Sequence, residues 1–424
     1  VIEADLIVRG ASELLTCAGP IPRARAAQSD IGAVPRGAAA ARGGVLVFVG
    51  PEADLERKVR PLPGAAIVEA RGGTVLPGFC DPHTHLPFAG TRAEEFHARV
   101  AGATYQEIAA AGGGILSTVR HVRAATEDDL VSAALPRLRR MLAHGTTSLE
   151  AKSGYGLTEE DELKQLRALR RLREMQPVEI TATLLAAHTL PPEFRNDREG
   201  YVRLVAERII PRAAAERLAE SCDVFLEQNV FGREEARRVL AAGVTHGLAP
   251  RLHADQLSSS GGADLAAEVH ALSADHLEHC SAEGRAALAR AGTVAVLLPG
   301  ATFALMLADY ADARGLVAAG VPVALATDFN PGTCYTESMP MIVTLGVLQM
   351  RLSIAEAIVA ATANAAAALG RGDLVGSLEV GKQADLIVLD LPDHRHLAYQ
   401  FGVNPVSIVV KQGRVVAGGA YPTT

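Results

Sequence analysis

VLPGFCDPHTH, residues 75–85, is the stretch on which the fold turns. Its first half is an apolar run and its second half carries His83 and His85. Histidines at i and i+2 of an extended segment point the same way, so both imidazoles can reach one ion. A strand that ends in such residues is what a (β/α)8 barrel presents at the mouth where it holds its site. Seven more short apolar runs follow downstream, at 146–149, 180–186, 223–226, 250–253, 274–277, 294–298 and 323–326. Runs of this kind, preceded by helical patterns and closed by polar residues, read as parallel strands. Helical patterns at 159–174, 201–219, 234–242, 262–272 and 281–291 separate many of them. Eight strand–helix units predict an α/β fold, a (β/α)8 TIM-like barrel. A doubly wound sheet is the rival, but no strand–GxGxxG–helix opening is present. The GGG at 112–114 follows an alanine-rich helical stretch and reads as a helix stop and loop.

The flanks have a different texture. Short β-like runs at 5–8, 45–49 and 66–69 are separated by Gly, Pro and Arg, and the same pattern returns at 384–389, 406–411 and 413–416. Neither flank has enough strand for a core of its own, so the two together predict a small β-sandwich domain. The expected division is 1–72 and 371–424 for the two parts of that domain, with 73–370 as the barrel.

Composition narrows the function classes. The 424 residues carry 41 Lys+Arg against 48 Asp+Glu, a net charge of −7 without any basic stretch of the kind nucleic acid requires. Five cysteines form no CxxC, which points to a reducing compartment. The opening VIEADLIVRG is acidic where a signal peptide is basic and apolar. The long apolar stretch 291–307 is broken by Gly292, Pro299 and Gly300 and reads as strand, turn and following segment, not as a membrane span. These features together predict a cytoplasmic protein that binds neither nucleic acid nor membrane.

Other strand ends complete a ligand set. His253 closes the fifth run and Asp328 the eighth, straight after VPVALA. An aspartate there is costly to bury without a cation or hydrogen-bond donors. Three nitrogens and one carboxylate oxygen, with water in the remaining position, suit a divalent transition metal, Zn2+ or Fe2+. His276 ends the sixth run and His188 the third, and both are expected at the same mouth; His279 is the less favoured alternative to His276 because it lies farther from the apolar run. Such a metal lowers the pKa of its water and polarises a carbonyl. Asp328 can then accept the water proton, while His276 holds the attacking water or the oxyanion and returns a proton to the leaving nitrogen. The constellation describes hydrolysis at a carbonyl or amidine carbon.

Segments 81–96 (DPHTHLPFAGTRAEEF), 145–157 (GTTSLEAKSGYGL), 253–268 (HADQLSSSGGADLAAE), 273–279 (SADHLEH) and 326–333 (ATDFNPGT), with the tail GSLEVGKQADLIV at 376–388, resemble the metal-dependent amidohydrolase superfamily. Within it the chain is most similar to the imidazolone-ring hydrolases of histidine degradation. The resemblance spans nearly the whole chain and implies the ligand set His83, His85, His253 and Asp328. It implies addition of water to 4-imidazolone-5-propanoate, a small anionic substrate, to give N-formimidoyl-L-glutamate. It also implies that Arg92, Tyr155 and His188 hold the substrate and that Asn330, Gly332 and Thr333 contact substrate or product. Gln256 stands where some members have glutamate; an amide is no general base, so its expected role is to orient the ring. A guanidinium at Arg92 suits a propanoate carboxylate, and a homodimer is implied.

Lys152 ends the second run, whereas a carboxylated lysine bridging two metals is expected near the fourth. One metal is therefore expected, with Glu150 and Lys152 pairing with each other or bracing the Tyr155 loop. The alternatives are another cyclic-amide hydrolase or a nucleobase-type deaminase with the same metal site but no call for a carboxylate-binding arginine, and a non-catalytic metal scaffold with a sealed ligand shell.

Overall fold

The computed structural model describes residues 1–103, 107 and 112–418. Eight parallel strands run in sequence order around one sheet: β1 (Phe79–Asp81), β2 (Thr146–Lys152), β3 (Glu179–Ala187), β4 (Ser221–Leu226), β5 (Ala249–Ala254), β6 (Ser273–His276), β7 (Val294–Leu297) and β8 (Val323–Leu325). The seam between β8 and β1 is closed by the chain just beyond them. Asp328 N–H donates to His83 O at 3.1 Å, His85 N–H donates to Phe329 O at 2.9 Å, and Thr84 bridges to Phe329. Below that, the Asp81 carboxylate takes both the N–H and the hydroxyl of Thr327, at 3.0 and 2.6 Å. The barrel therefore closes at the level of its mouth, and the closing residues include the predicted ligands His83, His85 and Asp328.

The longer helices between the strands bury an apolar stripe against this sheet. In Glu159–Met175, Leu163, Leu166, Leu169 and Leu172 recur at helical spacing and are buried, each contributing roughly 1.5–3 kcal/mol. The Thr158 hydroxyl caps its first turn by accepting from Asp161 N–H. The pattern at 201–219 is less regular than expected. It forms Arg198–Leu204, a π turn Val205–Ile209 and then Ile210–Ala215. Pro211 has no N–H to return to the preceding turn, and the widened turn accommodates its ring. Residues 291–307 form β7 and the helix Pro299–Ala304, and no described helix is long and apolar enough to cross a membrane.

The first predicted strand is corrected by the structure. Thr74–Pro77 does not belong to the barrel; it pairs antiparallel with Leu386–Leu389 and parallel with Glu13–Leu15. The chain changes sheets at Gly78. Gly78 N–H donates to Asp385 O, and the next amide, Phe79 N–H, donates to Gly145 O ahead of β2. Pro77 lacks an N–H and so cannot extend a ladder at the junction.

Both termini build the second unit, as expected. A six-stranded sheet runs Arg414–Gly418, Val406–Lys411, Leu386–Leu389, Thr74–Pro77, Glu13–Leu15, Ala33–Pro35. A four-stranded sheet runs Val45–Pro51, Gly37–Arg42, Ile2–Arg9, Val59–Glu69. Leu6, Val8, Leu14, Leu46, Val75, Leu386 and Val410 pack between them. Gly37–Arg42 went unpredicted because its sequence is GAAAAR; it lies between two strands with Ala38 to Ala41 buried, where only small side chains fit.

A Cβ at Gly78 would stand 2.3 Å from Thr147 Oγ1 and 2.4 Å from its Cγ2. Gly78→Ala is expected to destabilise the protein by about 1–3 kcal/mol through this overpacking, read as a lowered urea midpoint. An unchanged midpoint would contradict the tight crossing described here.

Candidate metal centre and substrate pocket

The mouth of the barrel gathers its histidines because each ends a strand. His83 and His85 leave β1, His253 lies in β5 and His276 ends β6. Left-handed backbone gathers at these strand ends: φ is +79° at His276, +70° at Leu277, and +51° at both Asp255 and Asp328. Such backbone costs energy in residues with a Cβ and persists where surrounding structure holds it, as it does at functional sites. Leu277 N–H is tied to Ala254 O and Asp328 N–H to His83 O.

His83, His85 and His253 bring one nitrogen each within 4.8 Å of the others, and all three are buried. His83 Nε2 and His85 Nε2 are 3.3 Å apart, and Asp328 Oδ1 stands 3.6 Å from both. Tautomers follow from the outer partners. His83 Nδ1–H donates to Asp275 Oδ2 at 2.6 Å, and His253 Nδ1 faces Asp223 Oδ2 at 2.9 Å. That turns the unprotonated Nε2 of each ring inward, in the arrangement metal-ligating histidines adopt. Burial, then Lys152 and the neighbouring histidines, holds the pKa of His83 well below the ordinary value; burial does the same at His85, and lowers that of His253 against the opposing pull of Asp223. Neutral imidazoles are the ligating form.

A divalent cation fits this arrangement on two counts. His253 Nε2 is buried with no hydrogen-bond partner among the described residues, and His83 Nε2, left unprotonated by the Nδ1–H bond to Asp275, points at His85 Nε2 3.3 Å away. Moreover, four buried carboxylates, Glu150, Asp223, Asp275 and Asp328, touch the histidines or Lys152, while the buried cations among the described residues that pair with them are Lys152 and Arg251. A doubly charged ion neutralises the excess.

Lys152 is fully buried at the end of β2. Its Nζ lies 2.6 Å from Glu150 Oε1, 2.9 Å from Asp223 Oδ2 and 3.6 Å from Asp275 Oδ2. Burial works against its charge, but Asp223, Glu150 and Asp275 outweigh burial and raise its pKa. Lys152 is thus an ammonium bound to carboxylates, two of which orient ligand histidines.

Tyr155 and His188 stand beside His85, with ring centroids 5.8 and 5.1 Å from it. The loop carrying Tyr155 is wrapped around a buried acid: Glu162 accepts from the N–H groups of Gly154, Gly156 and Leu157, while Gln165 accepts from Tyr155 N–H. His188 Nδ1–H donates to Gly154 O at 2.9 Å. His276 packs edge-on to His83, centroids 5.5 Å apart, and is buried, whereas His279 is exposed. Burial pushes the Asp328 carboxyl up to about 6, opposed by His276 and Asn330.

Arg92 lines a cavity of about 540 Å³ with Arg99, Phe96, Gly332, Thr333 and Tyr335. Its Nε–H and Nη2 are taken by Glu95 Oε2, at 2.9 and 2.8 Å. The remaining Nη1 lies where a Cβ of residue 332 would be, 2.0 Å away, so Gly332 is what lets the guanidinium pass. The amide of Asn330 is spent on its own loop. It donates to Asp328 O and Thr333 Oγ1 and accepts from the N–H groups of Gly332 and Thr333. Gln256 lies apart from this cavity, in a second one of about 250 Å³ with Glu278, His279 and Thr302.

Residues 74–416 match the model of the amidohydrolase family. The chain is 51% identical over 413 residues to the imidazolonepropionase of Symbiobacterium thermophilum, covering 97% of each, and 48% identical over 414 residues to that of Geobacillus kaustophilus, again 97% of each. Its fold is similar to an adenosine deaminase from Xanthomonas campestris with bound zinc, at a TM-score of 0.72 and 20% identity over 98% of this chain and 93% of that one.

The chain belongs to the amidohydrolase family.

As in the sequence reading, this amidohydrolase barrel holds a three-histidine metal site at its mouth. The sequence reading did not identify Asp223, Asp275, Glu162, Gln165 and Glu95. The signal for the first two was present: each is an acid inside an apolar strand, the same anomaly that singled out Asp328. Nothing local marked Glu162, which sits in the first turn of a helix where acids are ordinary.

Two outcomes follow for this site. Chelation is expected to lower the thermal midpoint, and zinc at about 100 times its Kd to restore about 2.7 kcal/mol; His253→Ala should abolish the response in calorimetry, and a response that survives would rule out this site. Lys152→Met leaves Asp223, Asp275 and Glu150 without their shared cation and should cost about 3–5 kcal/mol in urea unfolding.

Proposed function

We propose that this protein is an imidazolonepropionase: it adds water to 4-imidazolone-5-propanoate, breaks a ring C–N bond and yields N-formimidoyl-L-glutamate in histidine catabolism. One observation carries the reading: a buried three-histidine site in a chain half identical, end to end, to relatives of that name. His83, His85, His253 and Asp328 would hold one Zn2+ or Fe2+. When bound, such an ion supplies Lewis acidity and lowers the pKa of a water.

The chain's own residues supply the rest. Asp328, with a carboxyl raised toward neutrality by burial, is placed to take a proton from the attacking water. His276 stands against the ligand rings and returns a proton to the departing ring nitrogen. Arg92, held by Glu95, offers Nη1 to the propanoate carboxylate, with Arg99 adding positive charge to the same cavity. Tyr155 and His188, fixed by the Glu162 cradle, bind the ring beside His85. Gln256, in the cavity it shares with Glu278, abstracts no proton, and a part in orienting the ring rests for it on the family resemblance alone. Gly332 and Thr333 present the loop to the ligand, and Asn330 acts through the loop it braces. A homodimer working in the cytoplasm completes the reading; sedimentation of the purified protein tests the first point.

The deciding assay follows loss of imidazolone absorbance and appearance of N-formimidoyl-L-glutamate. No turnover, together with ammonia release from a nucleobase, would replace this reading with a deaminase. Arg92→Ala is expected to raise KM tenfold or more with a smaller change in kcat, because the carboxylate lies away from the reacting bond.

A further inference from the structure

Glu278 has no part in the reaction as derived, yet it lies against its acid–base histidine. The Glu278 side chain is 7% exposed and its Oε2 has no hydrogen-bond partner among the described residues. Facing that oxygen at 3.8 Å is His276 Nδ1, equally buried and equally unpartnered. The other carboxylate oxygen, Oε1, accepts from the Thr302 hydroxyl at 3.3 Å.

The backbone makes this meeting a built feature. Two successive left-handed residues, His276 and Leu277, turn the chain back at the end of β6, so that residue 278 returns toward residue 276. The turn is pinned to the strand carrying His253, through Leu277 N–H to Ala254 O at 3.0 Å and His279 N–H to Asp255 O at 2.8 Å. Thr302 comes from the helix Pro299–Ala304 that follows β7. β5 thus holds the turn, while β6 and the helix after β7 bring His276 and Thr302 to the Glu278 carboxylate. A separation of 3.8 Å exceeds a hydrogen bond, but buried polar atoms seek partners and catalytic contacts tighten when substrate binds.

We infer that Glu278 is a positioning residue for His276: it accepts the Nδ1 proton, leaves Nε2 as the nitrogen available to the reacting atoms, and is itself held by Thr302. The chemical need is plain, because an imidazole serves as acid or base only when the correct nitrogen faces the reaction. A carboxylate on the other nitrogen sets that choice. The inference rests on the ring-opening reading for the role of His276, but not for the contact itself.

In metal-loaded enzyme, Glu278→Ala is expected to lower kcat at least tenfold, with KM within twofold and metal content unchanged. Glu278→Gln, which keeps an acceptor, should recover part of the loss. In a His276→Ala background the alanine change should cost less than twofold, since its effect passes through the ring. Wild-type kcat in Glu278→Ala, or an equal loss in the His276→Ala background, would overturn the inference. A second readout needs no substrate: histidine 15N shifts of the zinc-loaded protein should show His276 protonated at Nδ1 in the wild type and moved toward the Nε2–H form in Glu278→Ala. A bare Nδ1 in the wild type refutes the contact whether or not the protein opens the imidazolone ring.

Discussion

Lys152 binds the carboxylates on which two ligand histidines depend. Asp275 holds the outer nitrogen of His83, Asp223 that of His253, and one buried ammonium holds both acids from the end of β2. Removing such charges from water costs several kcal/mol per ion, while a pair 4 Å apart at an effective dielectric near 20 recovers about 4 kcal/mol. The network is therefore not a large source of net stability. What it fixes is geometry: β2, β4 and β6 are locked to one another beneath the rings, each ring presents its unprotonated nitrogen inward, and the excess negative charge is left for a cation to neutralise.

That constraint explains why the barrel is arranged as it is around the seam. β1 is short, and its continuation must both carry the ligands and close the barrel against β8. The backbone groups of His83 and His85 pair with Asp328 and Phe329, so the strand that supplies two ligands is stitched to the strand end that supplies the aspartate. Site and closure are the same set of residues. The left-handed conformation at Asp328 follows from this double duty, since its N–H is committed to His83 while its carboxylate turns inward.

Much of this was legible in the sequence, and the reasons are specific. Strands buried on both faces leave apolar runs, and a histidine or aspartate at the end of such a run is chemically conspicuous; hence His83, His85, His253, His276 and Asp328 stood out. The crossing at Gly78 was hidden because an unbroken apolar run serves two sheets equally well, and only Pro77 hinted that the ladder must stop. Gly37–Arg42 was hidden because alanine marks a strand only when both faces are crowded. Arg92 was readable as a cation, but its pairing with Glu95 three residues on depends on where the loop folds.

The least legible layer is the one that positions. Glu162, Asp255 and Glu278 are acids in loops or first helical turns, where solvated charge is the ordinary expectation. Glu162 and Asp255 have instead been drawn inward to satisfy polar groups that a mouth built of loops would strand: Glu162 takes the amides of the Tyr155 loop, and Asp255 takes those of Ser260, Gly262 and Ala263. Irregular backbone close to a buried site needs such partners, because its amides have no ladder to join. The same acids then fix the side chains that the loops carry. Precision at the reacting atoms is thereby transferred from the strands, which set the ligands, to the loops, which set the substrate, through carboxylates whose roles emerge only when the chain is folded.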